Sequence, residues 1–265
     1  MNIRVRNLSF GYGTSHGKLI FDKLSADFGG GEDGRPLVIL GQSGCGKTTL
    51  LKLLGGLLLP QGGEVQYTGM NDEKPKIAFM FQESRLLPWL RVLENVSLPL
   101  EKDFGKDEAR LRARHFLSLV SLADKEAAFP MELSGGQAQR VSMARAFAWN
   151  APALFMDEPF QSLDISLRIS LMDLCLYLMS SDCKSADLQS IDVSSTDVSS
   201  AEKRLLIAVT HDPREALYLG GRIIVLGKAG EGIVYDRVID IPAGERIYGS
   251  SGALERELTR VLTSV

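Results

Sequence analysis

The chain has 265 residues, 45% hydrophobic and 24% charged, with a formal net charge of −3. That balance suits a globular protein with a substantial core and supplies no overall basic field to hold nucleic acid. Its three cysteines, Cys45, Cys175 and Cys183, form no spaced pair suited to zinc or to a disulfide framework, so a reducing compartment is expected.

In chain order, Met1-Asn2-Ile3-Arg4-Val5-Arg6 alternates apolar and polar residues, predicting a strand over 3–8 rather than a signal peptide. A second strand over 18–28 is expected to lie antiparallel to it. Tyr12, in Phe10-Gly11-Tyr12-Gly13, falls between them; as a lone residue it reads as a strand-edge tyrosine. After the glycine-rich stretch 29–34, Pro36-Leu37-Val38-Ile39-Leu40 is a short apolar run, as in a buried parallel strand. It leads into Gly41-Gln42-Ser43-Gly44-Cys45-Gly46-Lys47-Thr48, which matches the phosphate-loop pattern G-x-x-x-x-G-K-[ST] at its fixed positions. The glycines let successive N–H groups face one concavity, and the following helix adds partial positive charge at its start. Lys47 supplies a full charge for the β- and γ-phosphates of a nucleoside triphosphate, and the Thr48 hydroxyl can ligate Mg²⁺. Cys45 reads as a small filler; were its thiol exposed, alkylation would impair nucleotide binding. The helix over 47–54 is expected to stop at Gly55-Gly56. The leucine-rich stretch 50–59 is broken by Lys52 and these glycines, far short of the roughly 20 apolar residues that span a bilayer, so a membrane role must come through a partner.

Further strands are expected over 64–67 and 76–81, with Gln82 at the end of the latter. A helix over 107–122 should bury Leu111, Phe116, Leu117 and Val120 on one face. Residues 82–135 then read as a helical subdomain inserted into a nucleotide core made of 1–81 and 136–265, the core carrying an antiparallel β subdomain. In the core, helices are expected over 141–148, 163–179 and 254–262, and strands over 153–156, 205–209, 222–226 and 232–239. Alternating strands and helices imply a parallel α/β core, organised as a single domain over 1–265, and the phosphate loop within it makes a P-loop NTPase fold the expectation. The Ser- and Asp-rich stretch 180–200 reads as a surface insertion between helix and strand.

The chemistry concentrates at strand ends. Asp157 and Glu158 follow the apolar Leu154-Phe155-Met156; alone the pair could cap a turn, but beside a phosphate loop Asp157 can hold Mg²⁺ and Glu158 can act as general base toward water. His211 follows Ile207-Ala208-Val209-Thr210, where open α/β sheets keep their ligands. His16 and His115 read as ordinary surface residues. Ser134-Gly135-Gly136 precedes a helical segment and offers donors to a phosphate.

Leu133-Ser134-Gly135-Gly136-Gln137 resembles the signature of ATP-binding cassette (ABC) transporter ATPase subunits, and the match runs from Tyr12 to about Leu226. More narrowly, Phe81-Gln82-Glu83-Ser84-Arg85-Leu86-Leu87-Pro88-Trp89 resembles importers of nitrate, alkylsulfonates, taurine and related solutes. The resemblance implies an ATPase that uses ATP and Mg²⁺. It implies that Tyr12 stacks on adenine, that residues Gly41 to Thr48 and Thr49 hold the nucleotide, and that Lys47 and His211 contact the γ-phosphate. Gln82 would sense Mg²⁺ and the attacking water; with Thr48 and Asp157 it completes the metal set. Ser134, Gly135, Gly136 and Gln137 would cap ATP bound to a second subunit, a likeness to head-to-tail homodimers, with Asp164 coupling the two sites. It further implies integral-membrane permease subunits, an indirect solute-binding protein, and a peripheral place on the cytoplasmic face of the membrane. Trp89 with its neighbouring leucines is a candidate permease dock; its alternative is a buried residue of the subdomain core. Gln161-Ser162 departs from the family's usual Gly-Ala before Leu-Asp, and Ala138 replaces a polar residue in the signature helix. A soluble relative acting on nucleic acid or ribosomes is the rival reading, but there are no heptad repeats, no second cassette and no basic surface excess to support it.

Overall fold

Every residue of the strand that feeds the phosphate loop, β3 (Leu37–Gly41), is buried, and its side chains divide between two cores. Leu37 and Ile39 face one, Val38 and Leu40 the other, as a strand covered on both faces requires. The computed structural model describes residues 1–13, 19–30, 35–68, 75–149, 151–161, 163–179, 204–241, 245–250 and 252–264. The stretch 180–200, His16, Cys183 and Ser162 lie outside the described residues.

The chain opens with β1 (Asn2–Phe10) and β2 (Phe21–Phe28), antiparallel as expected, with Ile3 opposite Phe28 and Phe10 opposite Phe21. β4 (Gly62–Thr68) pairs antiparallel with the other edge of β1, giving a three-stranded sheet. The larger sheet has the order β5-β6-β7-β3-β8-β9. Its members are β5 (Ile77–Met80), β6 (Ala153–Asp157), β7 (Leu205–Thr210), β3, β8 (Arg222–Leu226) and β9 (Ile233–Val238). All are parallel except β9, which runs back along β8. Met80 lies opposite Met156, Asp157 opposite Val209, and Leu40 opposite Thr210. The carboxyl ends of β5, β6, β7 and β3 therefore finish side by side, the place where such sheets bind ligands.

One face of this sheet packs on α1 (Lys47–Leu54) and the small sheet; Phe21, Phe28, Leu50 and Phe155 meet there, each burial contributing about 1.5–3 kcal/mol. The helix stops where expected: the Gly55 N–H donates to Leu51 O at 3.0 Å, and Gly56 takes φ +65. The other face carries α5 (Gly135–Ala148), α6 (Ile165–Met179), α7 (Pro213–Leu219) and α8 (Gly252–Ser264). Between β5 and β6 lie α2 (Val92–Ser97), α3 (Glu101–Phe104) and α4 (Lys106–Leu119). α5 packs against α2 and α4 as well as β5.

Three details differ from the sequence reading. The buried face of α4 is Ala109, Ala113 and Leu117, with Val120 just beyond it, whereas Leu111 is exposed. Alanines let α4 approach its neighbours closely, and their weak hydrophobic signal hid that face. Next, α2, α3 and α7 were not anticipated, being four to seven residues long and so without a full amphipathic period. For α7 a cue was present: Asp212 accepts from the Arg214 N–H at 2.8 Å as N-cap, and Pro213 takes the first position. Finally, the helical segment expected after Ser134-Gly135-Gly136 and the helix expected over 141–148 are one continuous helix, α5, which begins at Gly135 because Ser134 caps it.

Candidate functional site

The phosphate loop turns through Gly44 (φ +82) and Gly46 (φ +107), a left-handed backbone that a side chain would strain. A Cβ on Gly46 would also come within 2.5 Å of Ile20. Cys45 faces inward at 6% exposure, and burial pushes its thiol up, so it is the small filler and not an exposed nucleophile. Ser43 and Gly44 are exposed at the rim. Gln42 donates from Nε2 to Leu262 O of α8 at 2.6 Å. Lys47, 5% exposed, folds over the loop and donates from Nζ to Gly41 O at 2.9 Å and Gln42 O at 3.0 Å. Thr49 is buried with Oγ1 3.3 Å from the Tyr12 hydroxyl. The Tyr12 ring meets Phe10 edge to face and is 57% exposed, so one side is open to a ligand.

Asp157 closes β6 at 3% exposure. Burial pushes its carboxyl up; the Thr48 hydroxyl, donating to Oδ1 at 3.0 Å, opposes that shift. Glu158 then adopts φ +46, a left-handed backbone worth about 1–3 kcal/mol of strain, held by its N–H donating to Val209 O at 3.0 Å. This bend brings the Glu158 carboxylate to His211 Nδ1 at 3.2 Å and to Lys47 Nζ at 3.8 Å. His211 stands on a braced strand end. Thr210 Oγ1 donates to buried Glu215 of α7 and accepts from the Asp212 N–H at 3.1 Å. Arg168 of α6 faces Glu215 at 3.3 Å and Asp212 at 3.7 Å.

Gln82 lies two residues past β5 and donates from Nε2 to Gln161 Oε1 at 2.8 Å. The Ser134 set stands apart. Ser134 Oγ accepts from the Gln137 N–H at 3.3 Å while Gln137 Oε1 accepts from the Ser134 N–H at 2.8 Å, a reciprocal capping box. Ser134 and Gly135 are exposed, and Gly136 partly so. Asp164 is exposed and accepts from the Leu167 N–H at 3.0 Å ahead of α6. Among the described residues no hydrogen bond or ion pair joins Ser134, Gly135, Gly136, Gln137 or Asp164 to Lys47, Asp157, Glu158 or His211. Residues Lys47, Thr48, Asp157, Glu158 and His211 thus form one cluster, and Tyr12 joins it through Thr49. The strain at Glu158 and the Gln161 contact were missed from the sequence; the Pro159 that follows Glu158 biases it toward extended backbone and pointed away from the bend.

The donor set fits nucleotide and magnesium. The open glycine turn, the buried lysine and the helix start at Lys47 suit phosphate. No group of three or more His, Cys, Asp or Glu is gathered among the described residues. A cation at Thr48 and Asp157 would take most of its other ligands from phosphate and water, which is how magnesium is usually held.

The family described as ABC transporter matches residues 30–161. An aliphatic sulfonates import ATP-binding protein of Zymomonas mobilis is 38% identical over 212 residues, covering 79% of this chain and 77% of that protein. Its counterpart in Corynebacterium glutamicum is 35% identical over 255 residues, covering 96% of this chain and 91% of that protein. Among solved structures, the dimeric post-hydrolysis state of the ATP-binding cassette MJ0796 bound to ADP and Pi aligns with TM-score 0.71 at 28% identity, covering 91% of this chain and 100% of that one. With phosphate loop, Asp-Glu pair, strand-end histidine and capped Ser-Gly-Gly helix all in place, the chain belongs to the ABC transporter family, as one of its ATP-binding, ATP-hydrolysing cassettes.

Proposed function

We propose that this chain energises an importer of a small solute, an alkylsulfonate before taurine or nitrate. It does so as a pair of identical cassettes lying peripherally on the cytoplasmic face of the membrane. The observation that carries this reading is the division of the phosphate-binding groups. One cluster gathers around Lys47 and Glu158, and a second donor set at Ser134-Gly135-Gly136 stands at the surface, its hydrogen bonds among the described residues lying within its own helix cap. The names of the sulfonate-importer relatives support the solute class, and the dimeric cassette neighbours support the pairing.

Each residue then has a role that its surroundings permit. Lys47 leaves the carbonyls of Gly41 and Gln42 for the β- and γ-phosphates, with residues Ser43, Gly44, Cys45, Gly46 and Thr48 lending N–H groups. Tyr12 stacks on the adenine ring. Thr48, Asp157 and Gln82 hold Mg²⁺, which supplies charge neutralisation to the transferring phosphoryl group. Glu158 takes the proton of the attacking water, and His211, hydrogen-bonded to that carboxylate, orients it and meets the γ-phosphate. Ser134 and the N–H groups of Gly135 and Gly136 cap the ATP of the second copy, with Gln137 securing the helix start and Asp164 at the seam between the copies. Residues 82–135 form the helical unit that docks the permease, with Trp89, 70% exposed, as anchor. No helix among the described residues is long and apolar enough to cross a membrane.

Vesicle reconstitution with candidate permease and solute-binding subunits tests this. ATP- and Mg²⁺-dependent uptake of an alkylsulfonate supports the reading. Hydrolysis strictly proportional to protein concentration at high dilution, with no stimulated uptake, overturns it.

A further inference from the structure

The two ends of the Gln82–Gln161 contact are tied to the same helix. Gln139 of α5 donates from Nε2 to Pro159 O at 3.5 Å, and the Gln161 N–H donates to Glu158 O at 3.5 Å, closing the turn that carries the strained carboxylate. Pro159 and Phe160 are buried, so this turn is fixed from below. On the other side, Arg145 of α5 donates to Ser84 O at 2.9 Å and Arg85 O at 3.1 Å, holding the segment just after Gln82. Phe81 stacks on Phe79, and Arg85 lies over Phe81 at 4.1 Å. Both backbones are thus held, and the gap between them is bridged by two exposed side chains, Gln82 and Gln161, 79 residues apart in sequence.

We infer that Gln161 is a positioning residue for hydrolysis, orienting the Gln82 amide while its own turn carries Glu158. The inference rests on the proposed role of Gln82 toward the cation and the water. A primary amide has one accepting oxygen and one donating nitrogen on the same planar group. When the Gln82 nitrogen donates to Gln161, its oxygen is directed away from that bond and stays available, and only oxygen serves a cation or accepts from water. The terminal torsion of a free glutamine is broad and two-fold, so without Gln161 the nitrogen would face the cation in a large share of the orientations. Gln161 stands where the family usually carries Gly, and the geometry gives that departure a use.

The test is a double-mutant cycle with Gln82→Ala, Gln161→Ala and the combination. ATPase rate is measured against Mg²⁺ concentration, and fluorescent-nucleotide binding in EDTA serves as a check on folding. Gln161→Ala is expected to lower the rate about 3- to 10-fold, the range of one net hydrogen bond, and to raise the Mg²⁺ needed for half-maximal rate. Nucleotide binding in EDTA should be unchanged. In the Gln82→Ala background the same substitution is expected to cost nothing further. A wild-type rate for Gln161→Ala beside a slow Gln82→Ala overturns the inference, as do losses that simply multiply. A wild-type rate for Gln82→Ala instead overturns the role of Gln82 itself.

Discussion

The Glu158 carboxylate bridges the two basic groups of the site: one oxygen lies 3.2 Å from His211 Nδ1 and the other 3.8 Å from Lys47 Nζ. The bridge depends on the left-handed backbone at Glu158 and on its hydrogen bond to β7.

Glu158→Gln keeps the size of the side chain and a hydrogen bond to His211 but cannot take a proton. Hydrolysis is expected to slow by at least about 10² while ATP still binds. The ATP-bound dimer should accumulate, measured by light scattering after gel filtration with Mg²⁺-ATP. Full turnover by this variant would remove Glu158 from the role of base.

Ser134 caps α5 and, as proposed, meets phosphate on a second copy. Ser134→Ala removes both functions and should cost about 1 kcal/mol, a fall in Tm of about 2–4 °C. Ser134→Asp retains a capping oxygen but sets a negative charge against phosphate. Its Tm should stay close to wild type while ATP-driven dimerisation is lost. A dimerising Asp variant would show that this turn does not face nucleotide.

Asp157 holds a carboxyl raised by burial. A group raised in the folded state contributes stability below its unfolded pKa and loses it as pH rises through the folded one. At neutral pH the buried charge is therefore a liability without metal. Asp157→Asn should raise the melting temperature in EDTA while abolishing the gain that Mg²⁺-ATP confers on the wild type. In the wild type, protons compete for the same carboxylate, so the Mg²⁺ required for half-maximal hydrolysis should rise on acidification toward the raised pKa. A Mg²⁺ requirement flat from neutral to mildly acid pH counts against Asp157 as ligand.

Tyr12 presents one open face. Tyr12→Ala should weaken ATP binding by about 1–3 kcal/mol, roughly 5- to 150-fold, and Tyr12→Phe should lose little, because stacking needs only the ring. Calorimetric titration separates the two; equal losses would make the Thr49 contact, not the ring, the source of the effect.

Much of this site was open to reading along the chain. The glycine pattern around Gly44 and Gly46 is a demand for backbone angles, and Lys47-Thr48 completes the phosphate-loop pattern to which those glycines belong. Other features gave weak local signals. Leu111 looked like a core residue of α4, yet Ala109 and Ala113 are the buried positions, on the helix that packs against α2 and α5. Trp89 was consistent with either a core or a dock, and its exposure depended on how the segment before α2 is held, which Asn95 does by bonding Leu87 and Leu90.

Apolar runs, strand alternation and glycine angles act between near neighbours, so β1, β3, the phosphate loop and the Asp157-Glu158 pair follow from the order of residues alone. The bend at Glu158, the bracing of His211 by Glu215 and Arg168, and the meeting of Gln82 with Gln161 do not. Each requires groups from separate strands or helices to arrive at one point, and strand order and helix packing alone set those distances.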